Sequence, residues 1–222
     1  MNKTFYIKSR ERVSDLLPDN SMMILFAGKD IRESEDQSYE FCINRNFFYL
    51  TGVNEQNDIL VMIKDGGNID SILFINEYDE LFAKWNGRKM FSEEVMELSG
   101  IENIRYLKDF NDFIKDNKDK YSLYMDIKAN LFTEPLGEEL KLIKEFNLEA
   151  NDCHDLIARC RMVKRDEEIE EIKKAISITN KGIEALMQNI KPGLYEYQVE
   201  SYFDQQIKYH GASGIAFKTI AA

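Results

Sequence analysis

Four runs of apolar, β-favouring residues constrain this chain more than anything else in it: "MMILFAG" at 22–28, "DILVMIK" at 58–64, "SILFIN" at 71–76 and "YSLYMD" at 121–126. They are nearly continuous in apolar residues, and strands of that composition need a sheet covered on both faces. A fifth run, "FFYLTG" at 47–52, is expected to be a strand on the same grounds. "KDGGNID" at 64–70 joins two of the runs, and its paired glycines permit the positive φ of a tight reversal. Those two strands therefore pair antiparallel, and the sheet is mixed. Residues 5–17 read as a helix. "SEEVMELSG" at 92–100 reads as another, with Ser92 as N-cap, two carboxylates in the first turn and Gly100 closing it. The fold class is α/β: a mixed β-sheet flanked by helices.

After about residue 150 the strand-rich texture gives way to helical periodicity, which divides the chain into domains at 1–150 and 151–222. Ile169, Ile172, Ile176, Thr179, Ile183, Leu186 and Ile190 recur at spacings of three and four, one apolar stripe on a helix of about 25 residues. Pro192 and Gly193 stop it. A second helix follows with Val199, Phe203 and Ile207 on one face and Gly211 at its end. A coiled-coil seam has the same spacing, but Thr179 in the seam and the tight "KPG" turn favour packing on a sheet or partner helix. Residues 215–222 read as the start of a further apolar strand.

Charge and motif content exclude several functions. With 29 Lys and Arg against 40 Asp and Glu, the net charge is −11, and no basic block forms a surface for nucleic acid. No stretch approaches the ~20 apolar residues that span a bilayer, and the N-terminus lacks a secretory apolar core, so a cytoplasmic location is expected. Cys42, Cys153 and Cys160 are an odd set without CxxC spacing, read as packing residues in a reducing compartment. Neither histidine has metal-ligand spacing: His210 reads as a helix C-terminal residue and His154 as polar surface. "DEEIEE" at 166–171 suits the positive end of a helix dipole. Phosphate loops and nucleophile elbows are missing. "FAKWNGRKM" at 82–90 holds the only tryptophan. Its plain reading is a turn with Trp85 packed on a sheet edge; its functional reading is an aromatic and a cation offered to a ligand.

Five stretches carry a resemblance: "RNFFYLTG" at 45–52, "WNGRK" at 85–89, "ARCRMVKRDEEIEEIKKA" at 158–175, "KPGLYEYQVES" at 191–201 and "GASGIAFKTIAA" at 211–222. In order and spacing they closely resemble the aminopeptidase P family, the Xaa-Pro aminopeptidases and Xaa-Pro dipeptidases (prolidases), with creatinase as a relative. "SEDQSYEF" at 34–41 extends the likeness, which covers essentially the whole chain.

The resemblance implies a creatinase-like, ribonuclease H-like N-terminal domain over 1–150. It implies that 151–222 hold a linker, the first helices and the first strand of a truncated "pita-bread" metallopeptidase domain, whose sheet would cover the apolar stripe. In that family the ligands of two divalent metal ions, usually manganese, lie beyond the segment resembling "FKTIAA", so no metal site is expected in this chain. The substrates implied are proline-containing peptides, and the assembly a homo-oligomer. Trp85 resembles a tryptophan that reaches a neighbouring subunit's active site. Phe217 resembles an aromatic substrate-site position, often tyrosine, whose hydroxyl is missing here. The implied function is the N-terminal portion of a Xaa-Pro aminopeptidase; the alternatives are a prolidase and a non-catalytic protein-binding module of the same fold.

Overall fold

Every residue of strand β1 (Ser21–Phe26) is buried, because it lies inside a six-stranded sheet. The computed structural model describes residues 1–128 and 137–220. β1 pairs antiparallel with β2 (Ile59–Asp65), which pairs antiparallel with β3 (Asn68–Ile75). The remaining pairings are parallel: β3 with β4 (Asn103–Tyr106), β1 with β5 (Ser122–Met125), and β5 with β6 (Ala150–Asp152). The order across the sheet is β4-β3-β2-β1-β5-β6. The mixed sheet expected from the apolar runs is present, with the Gly66–Gly67 reversal between β2 and β3.

Successive side chains of a strand point to opposite faces. Met23 and Leu25 accordingly join Leu60, Met62 and Leu73 on one face, while Met22, Ile24 and Phe26 join Val61, Ile72 and Phe74 on the other. The first face is covered by α1 (Lys3–Leu16), α2 (Arg45–Thr51), α4 (Ser92–Ser99) and α7 (His154–Met162), through Phe5, Val13, Phe47, Val95 and Ile157. The second is covered by α5 (Phe110–Asn117) and α6 (Glu138–Phe146), through Phe110, Phe113, Ile114 and Leu142. α3 (Glu80–Asn86) contributes no buried residue.

The run at 47–52 is a helix, not a strand, and lies within α2. The Asn44 carboxamide oxygen accepts from the Asn46 and Phe47 N–H groups at 2.9 and 3.1 Å, an N-cap that satisfies donors a strand would have paired. Gly52 ends the helix in the left-handed region at φ +72°, and a Cβ there would meet the Tyr6 ring at 2.3 Å, so glycine is required twice over. The buried Arg10 guanidinium donates to the Leu50 carbonyl at 2.7 Å, placing a cation at the negative end of the α2 dipole.

Three smaller readings also change. Ser92 is the first residue of α4, not its cap; the Glu94 carboxylate accepts from the Phe91 N–H at 2.8 Å instead. The short β4 and β6 were not anticipated. Residues 212–220 form no strand, since the described residues beside them offer no ladder partner, and 221–222 lie outside the described residues.

Asn2–Val163 form one compact unit and Lys164–Ala222 a second. The junction falls beyond residue 150 because β6 completes the first sheet and Cys153, Ile157 and Cys160 fill its core. The second unit consists of α8 (Asp166–Asn189), α9 (Glu196–Tyr209) and the extended residues that follow. The two helices meet where α8 carries Gly182; a Cβ there would lie 2.5 Å from the Phe203 ring. Much of the α8 stripe stays exposed, including Ile172, Ile176 and Ile183. Among the described residues no helix is long and apolar enough to cross a membrane.

Candidate functional site

Trp85 sits on α3 and is 78% exposed, so the reading in which it packs on a sheet edge does not hold. The first half of "FAKWNGRKM" is helix rather than turn: the Asp79 carboxylate caps α3 by accepting from the Phe82 N–H at 3.0 Å. Leu81 and Tyr78 are exposed beside it, and the Lys84 ammonium lies 6.0 Å from the indole centroid.

The Arg88 cation is not held out to a ligand. Its guanidinium donates to both Glu94 carboxylate oxygens, at 2.6 and 2.7 Å, and stacks 5.0 Å from the Phe91 ring. These two bonds, together with the Phe91 N–H, hold the Glu94 carboxyl down to about 2. Arg88 thus fixes the chain leaving α3 onto the start of α4, and the aromatic face is what this segment presents.

Behind the segment lies a cavity of about 230 Å³ lined by Gln56, Asn57, Asn76, Phe82 and Lys89, among others. Asn76 donates from one amide nitrogen to the Gln56 carbonyl at 2.9 Å and to the Asp58 carboxyl at 3.1 Å. Asp58 is 1% exposed, and burial pushes its carboxyl up to about 8 against the opposing pull of the Lys89 charge. Sequence reasoning passed over Asp58; its only signal is an acid directly ahead of the apolar first half of β2.

A second buried carboxyl adds to the reading of His154 as polar surface: its side chain stays 39% exposed but has a buried partner. His154 opens α7 with Nδ1 2.8 Å from Asp126, which is fully buried. Asn46 donates to the other Asp126 oxygen and accepts from Arg161, so α2, the residue that follows β5, and α7 are tied by one polar chain. Among the described residues no group of three or more His, Cys, Asp or Glu could hold a metal ion.

Phe217 belongs to the second unit, whose own groove of about 740 Å³ runs along α8 and α9. Ile178, Ile183, Val199, Phe203, Phe217 and Ile220 are among its lining residues, and Phe217 remains 76% exposed.

Comparison with known proteins places this geometry. A family profile described as "Aminopeptidase P, N-terminal domain" matches residues 6–124, and one described as "Metallopeptidase family M24" matches residues 170–222. The Xaa-Pro aminopeptidase of Haemophilus influenzae is 27% identical over 99% of this chain, and that of Escherichia coli 24% over 96%; each alignment covers 51% of the relative. The chain therefore spans about half the length of the curated relatives it matches. A solved Bacillus anthracis structure assigned as an aminopeptidase P superposes with a TM-score of 0.94 at 34% identity, covering 99% of this chain and 54% of that one. The Escherichia coli aminopeptidase P low-pH form gives 0.82 at 23% identity, covering 96% of this chain and 50% of that one, a likeness of fold. Since the N-terminal-domain profile matches more than half of its residues, the chain belongs to the aminopeptidase P family.

Proposed function

We propose that this chain is the N-terminal portion of a Xaa-Pro aminopeptidase, an enzyme that hydrolyses the bond between an N-terminal residue and proline. One observation carries the reading: the N-terminal-domain match at 6–124 is followed on the same chain by the metallopeptidase match at 170–222. The described residues do not fit a metal pair, since they bring no cluster of ligating side chains together. The two divalent ions, manganese by resemblance, are assigned to the part of the relatives' length that this chain does not span.

What this chain supplies is surface for the peptide. Proline has no N–H to donate, so backbone hydrogen bonding recognises it poorly and flat apolar contact recognises it well. Trp85, held out on α3 by the Arg88–Glu94 anchor, provides such a face at a subunit boundary of a homo-oligomer. Phe217 provides another, a phenyl ring without the hydroxyl hydrogen bond of a tyrosine.

The test assays the 222-residue chain and the product of the complete reading frame on Xaa-Pro-Xaa peptides with manganese. Turnover is expected only from the latter; turnover by the former overturns the placing of the metals. No turnover by either would favour a non-catalytic binding module. Trp85→Ala in the complete enzyme is expected to leave the unfolding midpoint and metal content unchanged while lowering kcat/KM on longer peptides. A large stability loss, with equal kinetic damage on short and long peptides, would make Trp85 a packing residue.

A further inference from the structure

The cavity of about 230 Å³ behind α3 is built from groups that the proposed function does not use. The loop ahead of β2 supplies Gln56 and Asn57, α3 supplies Phe82, and the chain leaving α3 supplies Lys89. That loop is tied on both sides: the Met90 N–H donates to the Glu55 carboxylate, and the Asp30 N–H to the Gln56 carboxamide oxygen, each at 3.3 Å.

The acids around the cavity are engaged, while several donors are free. Glu77 is paired with Lys108 at 2.5 Å, and the Asp79 carboxylate accepts from the Phe82 N–H at 3.0 Å. Asn76 spends its amide nitrogen on the Gln56 carbonyl and the Asp58 carboxyl. By contrast, the Lys89 ammonium, the Gln56 amide nitrogen and the Asn57 carboxamide make no hydrogen bond or ion pair among the described residues. Lys89 is half-buried, and its ammonium lies 5.4 Å from the Phe82 ring centroid, so the ring face holds the charge beside the cavity.

The geometry points to a site for the C-terminal carboxylate of a short peptide in this cavity. Convergent donors around one unpaired cation take an anion. One ammonium neutralises one carboxylate, whereas a phosphate group, with its larger negative charge, would leave charge uncompensated beside Glu77 and Asp79. The Gln56 and Asn57 amides are donors for the carbonyl of the last peptide bond, and the Phe82 face suits the terminal side chain. The volume, about eight waters at ~30 Å³ each, admits a carboxylate with one small residue behind it. That the anion belongs to a peptide rests on the proposed function; that an anion binds rests on the donors alone.

Trp85 lies one turn beyond Phe82 on α3 and is the only tryptophan, so its emission reports on ligand entering beside it. The test titrates the 222-residue chain with N-acetyl-Gly-Pro-Ala and with its C-terminal amide, followed by emission and calorimetry. The blocked amino terminus keeps the peptide from being an aminopeptidase substrate, so the result is independent of turnover by the complete enzyme. The acid is expected to bind one-to-one and the amide about tenfold more weakly or worse, with Lys89→Met lowering the acid to the amide's level, as loss of a charged hydrogen-bond partner should. Lys84→Met, which removes the cation beside the indole, is expected to leave the affinity unchanged. Equal affinity for acid and amide, no binding of either, or inorganic phosphate binding as tightly as the acid overturns the assignment. So does a loss in Lys84→Met that matches the loss in Lys89→Met, which would put the peptide on the Trp85 face. If Lys89→Met fails to fold, the comparison of acid with amide on the unaltered chain decides.

Discussion

Asp58 is the residue whose burial and charge conflict most sharply, and the conflict has a thermodynamic signature. Its carboxyl is raised from 3.8 to about 8 in the fold, chiefly by desolvation. Between about pH 4 and about pH 8 the folded chain therefore holds a proton that the unfolded chain has released, so stability falls as pH rises through that window and levels off above it. Asp58→Asn keeps a neutral oxygen for Asn76 and removes the titration. Its stability relative to the wild type is expected to improve by a few kcal/mol between about pH 5 and about pH 9, at about 1.4 kcal/mol for each pH unit of differing protonation. Urea unfolding at both pH values checks this; an unchanged difference would count against a buried, protonated carboxyl. Residue-level facts of this kind were the least legible in the sequence. The Arg88–Glu94 pair spans six positions, the Asp126–His154 pair 28 and the Arg161–Asn46 pair 115, and no local pattern announces bonds that only the folded chain brings together.

At the scale of elements, the sequence was most informative where periodicity and end signals agreed. The four apolar runs became β1, β2, β3 and β5, and the α8 stripe and the α9 face appeared as read. Run length alone misassigned 47–52, because a short helix buried on several sides shows the same unbroken apolar string as a central strand. Asn44 and Gly52, which flank it, were the cap and stop that distinguish the two. Asn44→Ala should therefore destabilise the first unit by roughly 0.5–2 kcal/mol, while a strand at this position would feel almost nothing; thermal unfolding of the variant decides. β4 and β6 escaped notice because "NIRY" and "AND" are too short and too polar to leave a pattern. The run at 215–220 shows the converse: strand-like residues do not make a strand without a neighbour to bond.

The whole molecule divides into two compact units. Met162 and Val163 at the junction are more than 70% exposed, and residues 212–220 lack regular structure. Limited trypsin digestion is expected to cut first at Lys164 or Arg165 and at Lys218, releasing the second unit from a resistant core; early cuts within β1, β2 or β5 would contradict this. The sheet of that core also has a history in time. β2 and β3 form a local hairpin and β1 joins them across the connection that holds α2, whereas Ser21 finds Ser122 only after about 100 further residues, and Phe5 shares its core with Ile157 and Cys160 of α7. A chain leaving the ribosome can thus build three strands early, yet it must carry the apolar side of α1 only partly covered until α7 has emerged. Until α7 has emerged, the share of that helix face which Ile157 and Cys160 will cover is the apolar surface left for a holding chaperone.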